Sequence, residues 1–360
     1  MINLDDHSIY KSKDSLSKVI ESIDAFPKQL NQAWKESSKI EFPESYHKTQ
    51  NVVVCGMGGS RFTPLAVKEL LKEYLTVPYV INDNYTLPGF VNKNTLVILS
   101  SYSGTTEEVM TCAEEALSRK SLLTAVTSGE SLTEILSKKY PHYVFNPIHN
   151  PSNQPRIGLG YMLAGHIGII ATTGLLTISR EELDKKVRKA IENAGKTLRK
   201  CTISTPKSEN RAKQLAQAIY HKYPYIVTSE FLQGFGNAFG NALNETAKNI
   251  SSPRVIPEIN HHLMEGLKFP DELKKIGLFI FFYSTLYHER VQKRFKITRE
   301  VVENNELQTY WYELAGETKE EQLFEALGFS SYVTLYLSIL YDQDPSQIPW
   351  VDMFKKKLKE

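Results

Sequence analysis

Apolar, β-branched runs recur through the first half of this chain at 51–55, 79–82, 95–101, 122–127 and 143–145, and helical patterns fill most of the gaps, at 63–74, 107–118 and 131–139. Strands apolar at nearly every position cannot leave one face in water. Alternated with helices, they specify a mainly parallel β-sheet flanked by α-helices on both faces, with right-handed crossovers. A helical opening, 15–34, precedes this unit, and an apolar helical segment, 159–175, closes it. The stretch 179–204 then turns charged, as in Glu181-Glu182-Leu183-Asp184-Lys185-Lys186, and reads as an exposed connecting helix at a domain boundary. Beyond it the same grammar returns without sequence repetition, with strands at 225–229, 275–283 and 307–312 and helices at 236–250, 288–303 and 320–340. A chain of 360 residues exceeds the usual size of one core. The expectation is an α/β protein of two domains, 1–180 and 181–360.

Charge and cysteine usage narrow the function classes. Basic and acidic residues number 43 and 41, a net charge of +2, so no broad nucleic-acid or membrane surface is indicated. No run approaches the roughly 20 uninterrupted apolar residues of a membrane span, the nearest being 276–283. The opening Ile2-Asn3-Leu4-Asp5-Asp6 lacks the basic and apolar regions of a signal peptide. Cys55, Cys112 and Cys201 are scattered and lack metal-ligand spacing. A cytoplasmic, reduced, disulfide-free protein is expected.

Chemistry-bearing residues collect where strands end. The run Leu96-Val97-Ile98-Leu99 stops at Ser100-Ser101-Tyr102-Ser103-Gly104-Thr105-Thr106, and a helix follows. A helix N-terminus offers unpaired N–H groups and partial positive charge to an anion. Ser101, Ser103 and Thr106 add hydroxyl donors for a phosphate; the alternative is an ordinary helix cap. Val54-Cys55-Gly56-Met57-Gly58-Gly59-Ser60-Arg61 is a second glycine turn. As a dinucleotide fingerprint it fails, since Arg61 stands where the third glycine belongs and only Asp83 offers a distant carboxylate. Gly58 and Gly59 more simply bring backbone close to a small ligand, with Ser60 donating. Both turns belong at the C-terminal edge of one sheet, where open α/β sheets bind ligands. Arg156, in a loop ahead of a helix, reads as a binding cation or a solvated charge. Glu245 lies on a helix lean in side chains (Gly236, Ala238, Gly240, Ala242, Ala247), and His261 and His262 follow in Pro257-Glu258-Ile259-Asn260-His261-His262. Each has a plain surface reading beside the functional one.

Taken in order, GMGGS, SYSGTTEE, PR-x-x-LGY, NE-x-AK and PE-x-NH resemble the bifunctional phosphoglucose/phosphomannose isomerases of the sugar isomerase (SIS) superfamily, over most of the chain from Asn51 onward. The resemblance implies two SIS subdomains, a homodimer, and neither cofactor nor metal. By the same resemblance Gly58, Gly59, Ser60, Ser101, Ser103 and Thr106 hold a sugar phosphate. Glu245 is the base that moves a proton between C1 and C2 through a cis-enediol, a task suited to a carboxylate with a raised pKa. Arg156 stabilises the enediolate. His261, supplied by the neighbouring subunit, opens the sugar ring, aided by a C-terminal lysine. Among Lys355, Lys356 and Lys357 the candidate is Lys355, against the plain reading of a solvated helix end.

The chain departs from the family pattern at His262-Leu263, where Asn-Glu is usual, at Arg61-Phe62-Thr63 and at Thr105. None of these removes an assigned residue, but they flank the sugar pocket and bear on substrate choice; Arg61 is placed to add charge near the phosphate. The expected activity is interconversion of glucose 6-phosphate and fructose 6-phosphate, with mannose 6-phosphate a second candidate substrate. The alternatives are an isomerase of another sugar phosphate and a non-catalytic phosphosugar sensor. Against the sensor, the segment before Asn51 offers one clear helix and no basic recognition helix.

Overall fold

The structure is a computed structural model describing residues 2–11, 13–136, 139–358 and 360. The opening is two helices rather than one, α1 (Asp14–Asp24) and α2 (Phe26–Ser37). Pro27 explains the break: it lacks an N–H and sits comfortably only in the first turn of a new helix. After the short α3 (Glu44–His47) come β1 (Asn51–Cys55), α4 (Gly59–Leu70), β2 (Tyr79–Asn82), β3 (Thr95–Ser101), α5 (Glu107–Ser118), β4 (Leu122–Thr127), α6 (Glu130–Leu136) and β5 (Tyr143–Val144). Residues 137 and 138 of the expected 131–139 helix lie outside the described residues. The five strands are all parallel, in the order β2-β1-β3-β4-β5.

Next come α7 (Leu159–Thr172), α8 (Arg180–Cys201), α9 (Arg211–Ile219), β6 (Tyr223–Thr228), α10 (Gln233–Glu245), β7 (Ser252–Val255), α11 (Leu273–Ile276), β8 (Gly277–Tyr283), α12 (Glu289–Asn304), β9 (Gln308–Glu313), α13 (Lys319–Leu340) and α14 (Pro349–Leu358). The second sheet is also fully parallel, ordered β7-β6-β8-β9. It thus follows the same winding as the first. Strand β7, Ser-Pro-Arg-Val, escapes a sequence reading because Pro253 argues against a strand. It is tolerated because β7 is an edge.

Period-2 alternation assigns the two faces of the first sheet. Val53, Cys55, Val97 and Leu99 pack with Val109, Cys112, Ala113 and Ala116 of α5 on one side. Val52, Val54, Leu96 and Ile98 face the larger core, which runs on into α10, β8 and α13. Two expectations need correction here. Helix α8 is not a free connector: Leu183, Val187, Ala190, Ala194 and Leu198 recur every three to four residues, and that stripe is buried against α13 and α2. Helix α13 is long and apolar enough, by length and composition, to cross a membrane, which the sequence reading missed. Its apolar window is 94% buried inside the protein, as befits a helix apolar on all sides in the centre of a large core. One of its buried carboxylates, Glu325, accepts from the Ala315 and Gly316 amides and the Tyr312 hydroxyl.

His166, in the middle of α7, is fully buried; one ring nitrogen lies 2.6 Å from the Met162 carbonyl and Nε2 has no partner. Burial pushes its pKa from 6.5 down to about 4. A depressed folded-state pKa means the unfolded chain binds the proton first, so stability is lost as pH falls below about 6.5. Chemical denaturation at pH 7 and pH 4.5 should show the wild type losing about 2 to 3 kcal/mol more between the two than His166→Asn does.

Candidate active site

Two turns meet at the C-terminal ends of the neighbouring strands β1 and β3, where the winding of the first sheet reverses. Gly58 has φ +50, a left-handed value natural to glycine, and ends the turn where α4 begins at Gly59. Gly56, rather than Gly59, is the closely packed one: a methyl there would lie 2.4 Å from the Ser60 carbonyl oxygen, while one on Gly59 meets only the Phe62 ring at 3.7 Å. The Ser60 hydroxyl accepts the Tyr102 N–H at 3.1 Å, and the Ser100 hydroxyl donates to the Ser60 carbonyl at 2.6 Å. The glycine turn and the serine turn are therefore stitched together.

Thr106 occupies the cap position of α5 but does not cap it. Its hydroxyl lies 2.8 Å from Ser101 Oγ, and no side chain takes the first N–H groups of the helix among the described residues. The ordinary-cap reading fails, and the amide end of α5 stays open beside the exposed Ser103 hydroxyl. Residues that sequence reasoning passed over brace this turn. Ser128 donates twice to the Tyr102 carbonyl, at 3.0 and 2.7 Å. Gly104, at φ +70, lies flat on Gly129: a methyl on Gly129 would sit 1.9 Å from the Ser103 carbonyl oxygen. The available signal was a Ser-Gly pair directly after β4.

A chain of hydrogen bonds leads from these turns to Arg156 and Glu245. The Asn150 amide donates to the Tyr102 hydroxyl at 2.9 Å and to the Gln154 carbonyl at 3.0 Å; Arg156 Nη1 donates to Gln154 Oε1 at 2.9 Å. Arg156 is buried, which rules out the solvated-charge reading. Its Nη2 donates to the carbonyls of Pro345 and Ser346 at 2.7 and 2.9 Å, and Nη1 stands 3.9 Å from Glu245 Oε2. Glu245 is half-buried. Burial raises its pKa, and the charges of Arg156, Lys355 and Lys248 oppose the rise. The small residues of α10 serve packing rather than ligand approach: Gly234 meets the Ala66 backbone of α4, Gly236 meets Thr228 and Gly240 meets Pro253.

The remaining candidates fall outside this cluster or at its rim. Arg61 is spent on Asp83, Nε to Oδ2 at 2.6 Å, so each neutralises the other and the expected extra charge near the phosphate is not free. His261 ends a short 3-10 turn after β7, exposed, and within the chain no hydrogen bond or ion pair joins it to Glu245 or Arg156 among the described residues. Lys355, Lys356 and Lys357 are all exposed on α14, yet of the three it is the Lys355 charge that acts on Glu245. Asp352, one turn earlier, acts on Arg156. Among the described residues no three His, Cys, Asp or Glu side chains gather as a metal site.

The structure superposes on a hypothetical protein from Thermus thermophilus with a TM-score of 0.72 at 14% identity, covering 98% of this chain and 92% of that one, a likeness of fold. Residues 208–358 match the family described as the bacterial phospho-glucose isomerase C-terminal SIS domain. The two parallel sheets and the hydroxyl-lined turn make this an SIS-type α/β protein. Over 346 residues it is 27% identical to a bifunctional phosphoglucose/phosphomannose isomerase of Caldicellulosiruptor bescii, covering 95% of this chain and 99% of the relative, and 25% identical to one of Aquifex aeolicus, covering 96% and 99%. Over nearly its whole length the chain is thus similar to bifunctional phosphoglucose/phosphomannose isomerases.

The Gly129 contact is the sharpest test of the cradle. Gly129→Ala should displace the Ser103–Gly104 turn and weaken binding of a sugar 6-phosphate by about tenfold or more, measured by isothermal titration. Gly89→Ala, where a methyl meets nothing within 4 Å, is the control expected to match the wild type.

Proposed function

We propose that this protein interconverts glucose 6-phosphate and fructose 6-phosphate through a cis-enediol, with mannose 6-phosphate as a second substrate. The observation that supports it most is a half-buried carboxylate, Glu245, with its pKa raised by burial and a buried guanidinium 3.9 Å away. Aldose–ketose isomerisation needs a base that takes a proton from one carbon and returns it to the next, and a fixed positive charge where the oxygen becomes anionic. Glu245 and Arg156 are these two groups. Because the base must start ionised, turnover falls as pH drops through the raised Glu245 pKa.

In this reading Ser60, Ser101, Ser103 and Thr106, with the Gly58–Gly59 backbone and the open end of α5, hold the phosphate. Anchoring the dianion away from the reacting carbons spends its binding energy on orientation. The hydrogen-bonded path through Tyr102, Asn150 and Gln154 fixes that anchor relative to Arg156. His261 opens the sugar ring from the neighbouring subunit of a homodimer, a role supported by its exposure. Lys355 assists from α14. We further assign residues 1–180 to an N-terminal phosphate-binding subdomain and 181–360 to a C-terminal one, in a cytoplasmic enzyme without cofactor or metal. The sensor alternative loses ground: α1, α2 and the short α3 precede β1, and all three are built into the core rather than set apart.

A coupled assay with fructose 6-phosphate, and in parallel mannose 6-phosphate, tests the activity. Glu245→Gln should lower kcat by about 100-fold to 10,000-fold and leave fructose 6-phosphate affinity within about threefold. A wild type that binds fructose 6-phosphate but converts neither substrate would make the protein a sensor; conversion of a different sugar phosphate alone would move the substrate and keep the chemistry.

A further inference from the structure

Lys248 breaks a local rule. Helix α10 ends at Glu245, and the chain reverses direction at Lys248, which has φ +58; the next N–H, that of Asn249, bonds back to the Leu243 carbonyl at 2.9 Å. That left-handed position after a helix is ordinarily given to glycine, and a long side chain there is strained.

What the side chain does is visible. The ammonium donates to the Glu245 carbonyl at 2.5 Å and to the Gln347 carbonyl at 2.6 Å. Arg156 takes the two preceding carbonyls, Pro345 and Ser346. Three consecutive carbonyls of the strap between α13 and α14 are thus held by the two cations flanking Glu245. The strap leads into α14, which buries none of its own residues, yet carries Asp352 toward Arg156 and Lys355 toward Glu245. With so little packing, α14 depends on the strap for its place over the site.

We propose that Lys248 is a positioning residue of the isomerase site, locking the Gln347 strap to the end of α10 and so holding Lys355 and its helix over the Glu245 carboxylate. The proposal rests on the isomerase reading above. The charged groups facing Lys248 are Glu245 at the end of α10, Arg156 from the loop before α7, and Asp344 from the strap; partial burial and Arg156 push its pKa down to about 8, against Asp344 and Glu245. The lock therefore weakens on the alkaline side, where the ammonium loses its proton. Arginine at this position stays charged.

The full-length protein and three variants, Lys248→Gly, Lys248→Met and Lys248→Arg, separate positioning from mere helix capping. Lys248→Gly relieves the strained φ, so its melting temperature should equal or exceed that of the wild type. Its kcat for fructose 6-phosphate should nonetheless fall by about tenfold or more, with KM within about threefold because the phosphate cradle is untouched. Loss of the neighbouring positive charge should also move the acid limb of its kcat/KM profile upward by about half a unit. Amide hydrogen exchange over residues 345–358 should accelerate in Lys248→Gly and Lys248→Met. Lys248→Arg should recover most of kcat and lose the alkaline fall near pH 8. A Lys248→Gly enzyme with wild-type kcat, pH profile and exchange overturns the proposal while leaving the isomerase reading intact. An inactive wild type overturns both.

Discussion

A buried guanidinium must find partners for its donors, and this need at Arg156 organises the site. Its two terminal nitrogens reach Gln154 on its own loop, two carbonyls of the strap after α13, and the neighbourhood of Glu245 at the end of α10, while Nε is left buried without a partner among the described residues. These segments come from three distant parts of the sequence, and the charge is tolerable only where all three converge. The arrangement also explains the ionisation of Glu245. Burial raises the carboxyl pKa, and the same buried cation keeps the rise in check. The carboxyl's ionisation is thus set by two opposing effects of one environment.

The proposed phosphate cradle obeys a different constraint, close backbone contact. Its hydroxyls are held by one another and by main chain: Ser101 to Thr106, Ser60 to the Tyr102 amide, Ser100 to the Ser60 carbonyl. The nearest candidate for a fixed cation, Arg61, is paired with Asp83. An anion here is met by neutral donors and a helix end, an environment that discriminates by shape and hydrogen-bond direction more than by long-range attraction.

Much of this was legible in the sequence because it follows from local periodicity. The near-continuous apolar strands gave the parallel sheets, and the abrupt switch from Leu99 to Ser100-Ser101 located the cradle. What stayed hidden depends on partners far along the chain. Nothing local says that Arg156 is buried, because the carbonyls that its guanidinium reaches belong to Pro345 and Ser346. The amphipathic stripe of α8 was masked by its many charges, and β7 by Pro253. The lean face of α10 was read as room for a ligand, whereas the space is filled by Ala66, Thr228 and Pro253. Small residues announce close approach without naming what approaches.

The burial of α13 has a consequence for how the molecule comes into being. This helix packs on α8, α9, α10 and α1, and its Tyr332 hydroxyl bonds to Asp24 near the start of the chain. The principal core is therefore continuous across both sheets and cannot close until α13, which begins at Lys319, has been placed. Until then, the apolar faces awaiting α13 are open, and α13 itself is a greasy segment without a home. The architecture exchanges early independence of its two sheets for a single late, cooperative closure, which leaves the ribosome-bound intermediate as the stage most in need of protection from other chains.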